Sequence, residues 1–148
     1  MELEFKIKPF NELSTLELYQ LLKLRSEVFV VEQNSVYQDV DGKDQKALHV
    51  LGVVDGQILV YARLFNAGDY FTNASIGRVV IAEKVRSKKW GHELMKVAIQ
   101  ALHENFGVQP ITISAQLYLQ KFYEQHGFQQ QSEMYLEDGL PHIEMLRN

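Results

Sequence analysis

The sequence predicts one mixed α/β domain over residues 1–148, with a sheet of about six to seven strands flanked by helices. Three observations carry that expectation. Apolar runs of strand length recur along the chain, and Asp-Gly pairs of the kind that suits two-residue turns with positive φ join two sets of them. Three helical segments, two of them with apolar residues at clear helical spacing, separate these runs. The order is β, α, three β, α, β, α, two β, an antiparallel front half leading into a β-α-β-α unit, which fits a mixed sheet with helices on its faces.

Leu3-Glu4-Phe5-Lys6-Ile7-Lys8 alternates apolar and polar residues, as a half-buried strand does. Ser14-Thr15-Leu16-Glu17 is a capping box at the start of a helix. Leu18, Leu21, Leu22, Leu24, Val28 and Phe29 give that helix a broad buried face up to about Val31. Residues 32–47, rich in Gln, Asn, Asp and Gly, read as a long irregular segment, a feature that is often functional in a compact domain. His49 to Val54, Asp55-Gly56 and Gln57 to Phe65 form a hairpin, and Ala74 to Ala82 is a further strand. From about 88 to 106, Leu94, Val97, Ala98, Ala101 and Leu102 share one helical face, with Gly107 as the stop. Pro110 to Ala115 is a strand by composition, and Leu117 to His126 a short helix ended by Gly127. Phe128 to Leu136 and Leu140 to Leu146 make a final antiparallel pair around Asp138-Gly139.

Composition narrows the function classes. With 148 residues, 46% of them hydrophobic, the chain can bury a substantial core. Its 15 basic and 19 acidic side chains give a net charge of −4, which argues against DNA or RNA as the main partner, because phosphate contacts require a basic surface. No apolar run reaches the length of a bilayer span, so no membrane partner is expected. Residues 1–13 lack the layout of a signal peptide, which places the chain in the cytoplasm as an expectation. With no cysteine, disulfides, zinc–thiolate sites and thiol nucleophiles are excluded, and no metal is expected.

The most informative stretch is Ile76-Gly77-Arg78-Val79-Val80-Ile81-Ala82 followed by Arg86-Ser87-Lys88-Lys89-Trp90-Gly91-His92. A β-rich run gives way, after a charged loop, to the start of a long helix. Such a junction leaves backbone N–H groups without carbonyl partners, with the positive end of the helix dipole behind them. A pyrophosphate fits there, and the neighbouring strand offers a surface for an extended ligand.

On these residues the chain resembles the GCN5-related N-acetyltransferase (GNAT) superfamily. That superfamily's pyrophosphate signature, Arg/Gln-x-x-Gly-x-Gly/Ala, reads here Arg86-Ser87-Lys88-Lys89-Trp90-Gly91, with Lys89 at the first glycine position. Lys89 must therefore either tolerate the glycine's dihedrals or point its side chain away. A second block follows Ile111-Thr112-Ile113-Ser114-Ala115: Gln116 stands where the superfamily has Asn, and Tyr123 stands at the tyrosine position before Gly127-Phe128. Within the superfamily the chain is similar to the ElaA-like group over nearly its full length. The segments that carry this are Leu24-Arg25-x-x-Val28-Phe29-Val30-Val31-Glu32-Gln33, Tyr37-Gln38-Asp39-x-Asp41-Gly42, Tyr61-Ala62-Arg63, Gly77-Arg78-Val79 and Glu137-Asp138-Gly139-x-Pro141-His142.

The resemblance implies a sheet splayed between its fourth and fifth strands, acetyl-CoA as co-substrate, and direct acetyl transfer to an amine through a ternary complex. The acceptor is a small-molecule amine or a protein amino group. Main-chain groups of Val79, Val80 and Ile81 would meet the pantetheine arm and the thioester carbonyl. Arg86, Ser87, Lys88, Lys89, Trp90, Gly91 and His92 would line the pyrophosphate turn, with Gln116 and Tyr123 also on the cofactor. Trp90 covers either the sheet edge or the adenine side. Tyr123 is the proposed general acid towards the departing sulfur, whose reference thiol pKa is about 8.5.

The base is open among Glu32, His49 and His142. Glu32 closes the first helix and is placed at catalysis and substrate binding, and His49 and His142 are candidate substrate-binding residues with natural pKa values near neutrality. Asp39-x-Asp41-Gly42-x-Asp44 fails calcium-loop spacing and is expected to be a solvated turn, while Arg63 and Arg78 are candidates for pairing with acidic loop residues. The absence of Gly-x-Gly-x-x-Gly and the antiparallel front half argue against a Rossmann-type dinucleotide enzyme. The rival from another class is a non-catalytic acyl-CoA-binding or interaction module on the same fold. An edge strand near the C-terminus would permit a homodimer.

Overall fold

The computed structural model describes residues 2–148. Its strands are β1 (Glu4–Pro9), β2 (Leu48–Val54), β3 (Gln57–Phe65), β4 (Ala74–Ile81), β5 (Ile111–Gln116), β6 (Gln129–Gln130), β7 (Tyr135–Glu137) and β8 (Leu140–Arg147). Its α-helices are α1 (Thr15–Arg25), α2 (Gly91–Phe106) and α3 (Gln120–Glu124). The strands form one eight-stranded sheet in the order β1-β2-β3-β4-β5-β8-β6, with β7 also paired to β8. All neighbours are antiparallel except β4 and β5. No helix among the described residues is long and apolar enough to cross a membrane.

Local chemistry explains most boundaries. The Ser14 side chain accepts the Glu17 N–H at 3.0 Å and the Glu17 carboxylate accepts the Ser14 N–H at 2.9 Å, which completes the capping box of α1. Both hairpin turns place two successive residues at positive φ, 49° and 77° at Asp55-Gly56 and 50° and 78° at Asp138-Gly139. α2 stops at Gly107 as expected.

Two elements differ from the sequence expectation. The first helix reaches Glu32, but residues Ser26–Glu32 are π-helical, a geometry that widens the turn just before the irregular segment. The strand expected over 128–136 is two short strands, which makes eight strands rather than six or seven. Between them the Ser132 hydroxyl accepts the Glu144 N–H at 2.9 Å, so a side chain replaces a ladder carbonyl.

Two hydrophobic clusters cover the faces of the sheet. On one, Leu94, Met95, Ala98 and Leu102 of α2 pack on Val50, Val60, Ile76 and Ile113. On the other, Leu21, Leu24 and Val28 pack on Leu51, Tyr61 and Val80.

The segment after the first helix is tied down by charge. Arg25 gives Nε to Asp39 at 2.7 Å and Nη1 to Asp44 at 2.8 Å. Arg63 bonds Asp41 through Nη1 and Nη2, each at 2.9 Å, and Asp44 at 2.9 Å. Arg78 gives Nε to the other oxygen of Asp39 at 2.7 Å. Asp39 and Asp44 are 7% and 5% exposed, so two carboxylates of the solvated turn expected at Asp39–Asp44 lie instead in the interior, while Val40 and Gly42 stay exposed. The reason is partnership: three guanidinium groups neutralise three carboxylates, and burial then becomes tolerable.

The register of β4 shifts in the same region. Tyr61 pairs with Val80 but Arg63 with Gly77, so β4 carries a bulge at Arg78-Val79, and Arg78 has φ 48°. The parallel ladder to β5 holds for only two pairs, Ala74 with Ile111 and Ser75 with Thr112. Beyond it the two strands diverge, as the expected splay requires.

Removing one partner of this network strands a buried opposite charge. Arg25→Ala is expected to cost about 3–5 kcal/mol of unfolding free energy, measured by urea denaturation. Burial by itself would raise the Asp41 pKa, but hydrogen bonds from Arg63 and from the Lys43 N–H lower it to about 2. A depressed carboxylate contributes stability above its unfolded pKa and loses it as pH falls towards the folded value. Thermal stability is therefore expected to fall between about pH 4 and pH 2, and Asp41→Asn is expected to flatten that slope.

Candidate active site

The divergence of β4 and β5 opens a cleft of about 470 Å³. Its walls come from the π-helical stretch (Phe29, Glu32), the bulged strand (Gly77 to Ile81), the end of β5 (Ser114, Gln116), the α3 region (Phe122, Tyr123) and the β7–β8 hairpin (Glu137, His142). Along Ile76–Ile81 the β5-facing edge of β4 has no strand beside it, so its main-chain groups are available to an extended ligand. Val79 and Ile81 are half-buried there, while Val80 is buried in the second cluster and pairs with Tyr61 of β3, so the main-chain groups free to meet a ligand are those of the bulge before it.

The cleft leads to the start of α2. Trp90 is the residue before the first turn, and no side chain caps the helix. Gly91 allows close packing: a Cβ there would lie 3.2 Å from Phe122 Cε1. Before it, residues Glu83–Lys88 form a 3₁₀ turn that ends at Lys89. Lys89 has φ 58° and ψ 40°, the left-handed conformation that favours glycine, so it takes the glycine's dihedrals. Its N–H is satisfied internally by the Arg86 carbonyl at 3.1 Å. Ser87, Lys88, Lys89 and His92 are exposed. Trp90 is half-buried and packs against both hydrophobic clusters, the sheet-covering alternative for this residue. The His92 ring contacts Phe122, and its Nδ1 lies 2.9 Å from His126 Nε2.

Two bridges cross from the first helix to the strands. Glu32 receives both terminal nitrogens of Arg86, Nη2 at 2.9 Å, while Arg86 Nε bonds the Ile81 carbonyl at 3.1 Å. The hydrogen bonds that Arg86 donates to Glu32 raise its pKa above its already high ordinary value. Gln33 and Gln116 exchange amide contacts at 3.3 and 3.5 Å. Glu32 therefore sits in the cleft wall as a partner of Arg86 and not as a free carboxylate.

Tyr123 is 6% exposed and borders the cleft, and burial pushes its hydroxyl pKa well above the ordinary phenol range. His142 also borders it. His49 does not. It is fully buried, with Nε2 2.9 Å from the Asp44 carbonyl and Nδ1 2.6 Å from the Tyr61 hydroxyl. Since a carbonyl only accepts, Nε2 carries the proton and Nδ1 accepts from Tyr61. Burial lowers its pKa, so the ring stays neutral as a strut of the arginine–aspartate network, and the expectation that His49 binds substrate is corrected. Sequence reasoning missed Ser114, Tyr135, Glu137 and Phe122 as wall and support residues. Ser114, a hydroxyl at the end of an apolar strand, was the available signal.

The comparison with known proteins agrees with this architecture. The chain belongs to the acetyltransferase (GNAT) domain family, which matches residues 13–147. It is similar to Protein ElaA of Escherichia coli (strain K12), 42% identical over 139 residues that cover 93% of this chain and 91% of the relative. The crystal structure of Escherichia coli ElaA superposes with a TM-score of 0.93 at 40% identity, covering 99% of this chain and all (100%) of that one. A crystal structure of an acyl-CoA N-acyltransferase from Pseudomonas aeruginosa gives 0.94 at 42% identity, with 99% and 100% covered.

The left-handed backbone at position 89 yields a stability test. Lys89→Gly is expected to leave stability unchanged or raise it by up to about 1 kcal/mol. Lys89→Val is expected to cost about 1–2 kcal/mol, because a β-branched residue is poorly accommodated there. Urea unfolding of the two variants beside the parent protein checks both signs.

Proposed function

We propose that the protein is an acetyl-CoA-dependent N-acetyltransferase that moves the acetyl group directly to an amine, with both substrates bound together. The observation that carries this reading is the open β4 edge leading to the uncapped start of α2. The residues present fit an acyl-CoA: a free strand edge for an amide-bearing arm, a side-chain-free helix start for a diphosphate, and exposed Lys88 and Lys89 beside it. When bound, the thioester supplies an activated acyl carbon.

The chain's own residues divide the remaining work. A backbone N–H of the β4 bulge, at Val79, is assigned the stabilisation of negative charge on the carbonyl oxygen, which the bulge's place in the cleft wall supports. Tyr123, with its raised pKa, is protonated at neutral pH and acts as a hydrogen-bond donor to sulfur as negative charge builds there. With no cysteine in the sequence, a thiol-bound acetyl relay is not available, which favours direct attack by the amine. The engagement of Glu32 by Arg86 supports the second reading, a module that binds acyl-CoA without turnover.

Release of free thiol from acetyl-CoA in the presence of an amine panel separates the two. Amine-dependent release is expected, and Tyr123→Phe is expected to lower kcat by about 10²-fold with little change in the Kd for acetyl-CoA. Binding without acceptor-dependent release favours the module.

A further inference from the structure

The β7–β8 hairpin and the end of β5 bring four polar side chains to one wall of the cleft. Ser114 Oγ donates to Glu137 Oε1 at 3.0 Å and, having spent its only proton, accepts from the Tyr135 hydroxyl. The Tyr135 ring lies 6.2 Å from that of His142 at an interplanar angle of 24°. His142, 6% exposed, has its Nδ1 2.8 Å from the Leu140 carbonyl, so Nδ1 carries a proton, and in the neutral ring the lone pair is on Nε2. That Nε2 lies 3.4 Å from Glu137 Oε2, the oxygen that Ser114 leaves free. A buried proton acceptor and a carboxylate oxygen thus meet at the cleft surface, held by a relay that fixes the carboxylate's orientation.

The charge distribution of the walls points the same way. The cations that line the cleft are Arg63, Arg78 and Arg86, and each is engaged by a carboxylate of the chain: Arg63 by Asp41 and Asp44, Arg78 by Asp39, and Arg86 by Glu32. No lysine lines it among the described residues. On the anionic side, Glu137 and Asp138 line the cleft without an arginine or lysine partner. A ligand carboxylate finds no free cation here, whereas an ammonium group finds Glu137.

We propose that this wall is the acceptor site, and that the acceptor is a protonated aliphatic amine with no carboxylate of its own. Glu137 binds the ammonium group and His142 Nε2 takes its proton. The inference rests on the acetyl-transfer reading above. An aliphatic amine is almost wholly protonated at neutral pH, so it must lose a proton before it attacks. His142 takes that proton and becomes an imidazolium facing Glu137. The freed nitrogen lone pair forms the N–C bond as the C–S bond breaks with its electron pair leaving on sulfur. The net change is ammonium plus thioester to amide, thiol and one proton released to water.

Thiol release from acetyl-CoA is measured with 1-aminobutane, 1,4-diaminobutane and 4-aminobutanoate, which share a chain length and differ in the far group. The two amines without a carboxylate are expected to exceed 4-aminobutanoate in kcat/KM by about 10-fold or more. Glu137→Gln keeps the Ser114 hydrogen bond. It is expected to raise the amine KM by about 10-fold, to narrow the gap to 4-aminobutanoate, and to leave the KM for acetyl-CoA unchanged. His142→Gln is expected to lower kcat with the thermal midpoint retained. Equal or better use of 4-aminobutanoate, or an unaltered amine KM in Glu137→Gln, overturns the proposal and leaves the transferase reading in place. A protein that binds acetyl-CoA but releases no thiol with any of the three amines overturns both.

Discussion

The cleft depends on one interior arrangement, the neutral set of Arg25, Arg63 and Arg78 with Asp39, Asp41 and Asp44. Each charge alone would cost several kcal/mol to bury, and the hydrogen bonds among them offset that cost only while the set is complete. The contacts join four parts of the chain: the end of α1, the irregular segment after it, β3 and the bulge of β4. His49 and Tyr61 brace the set from below by their own hydrogen bond. The irregular segment is ordered because its three aspartates have nowhere better to go.

The same arrangement holds β4 in an unusual shape. Arg78 occupies a left-handed conformation that a residue with a large side chain ordinarily avoids, and its guanidinium is anchored on Asp39 through both Nε and Nη2. The bulge turns the end of β4 away from β5, and a parallel ladder that could have closed stops after two pairs. Main-chain groups left unpaired by this divergence are the most specific feature of the cleft.

Not every ion pair near the cleft carries equal weight. Arg86 and Glu32 are 40% and 34% exposed, and a pair so placed is worth up to about 1 kcal/mol. Its two partners can exchange for solvent at small cost. The buried arginines cannot be exchanged in that way. The contrast divides the cleft into a rigid wall, from Arg63 to Arg78, and an adaptable rim at Arg86, Gln33 and Gln116.

What the sequence determined by itself was whatever local chemistry decides. The capping box at Ser14, the two Asp-Gly turns, the stop at Gly107 and the strand-to-helix junction at 82–91 each depend on neighbours a few residues away, and all were readable. The motif residues Gln116 and Tyr123 could be assigned to one cleft only through the resemblance of their block to the superfamily's motif. Tertiary structure alone decided the burial of Asp39 and Asp44, the removal of His49 from the cleft, the engagement of Glu32 by Arg86, and the meeting of Ser114, Glu137 and His142. The physical reason is range: Arg25 and Asp39 are 14 residues apart, Arg63 and Asp41 22, Arg78 and Asp39 39, and Arg86 and Glu32 54. A charged residue in a sequence shows no sign of the partner that makes its burial affordable, because that partner is chosen by the fold.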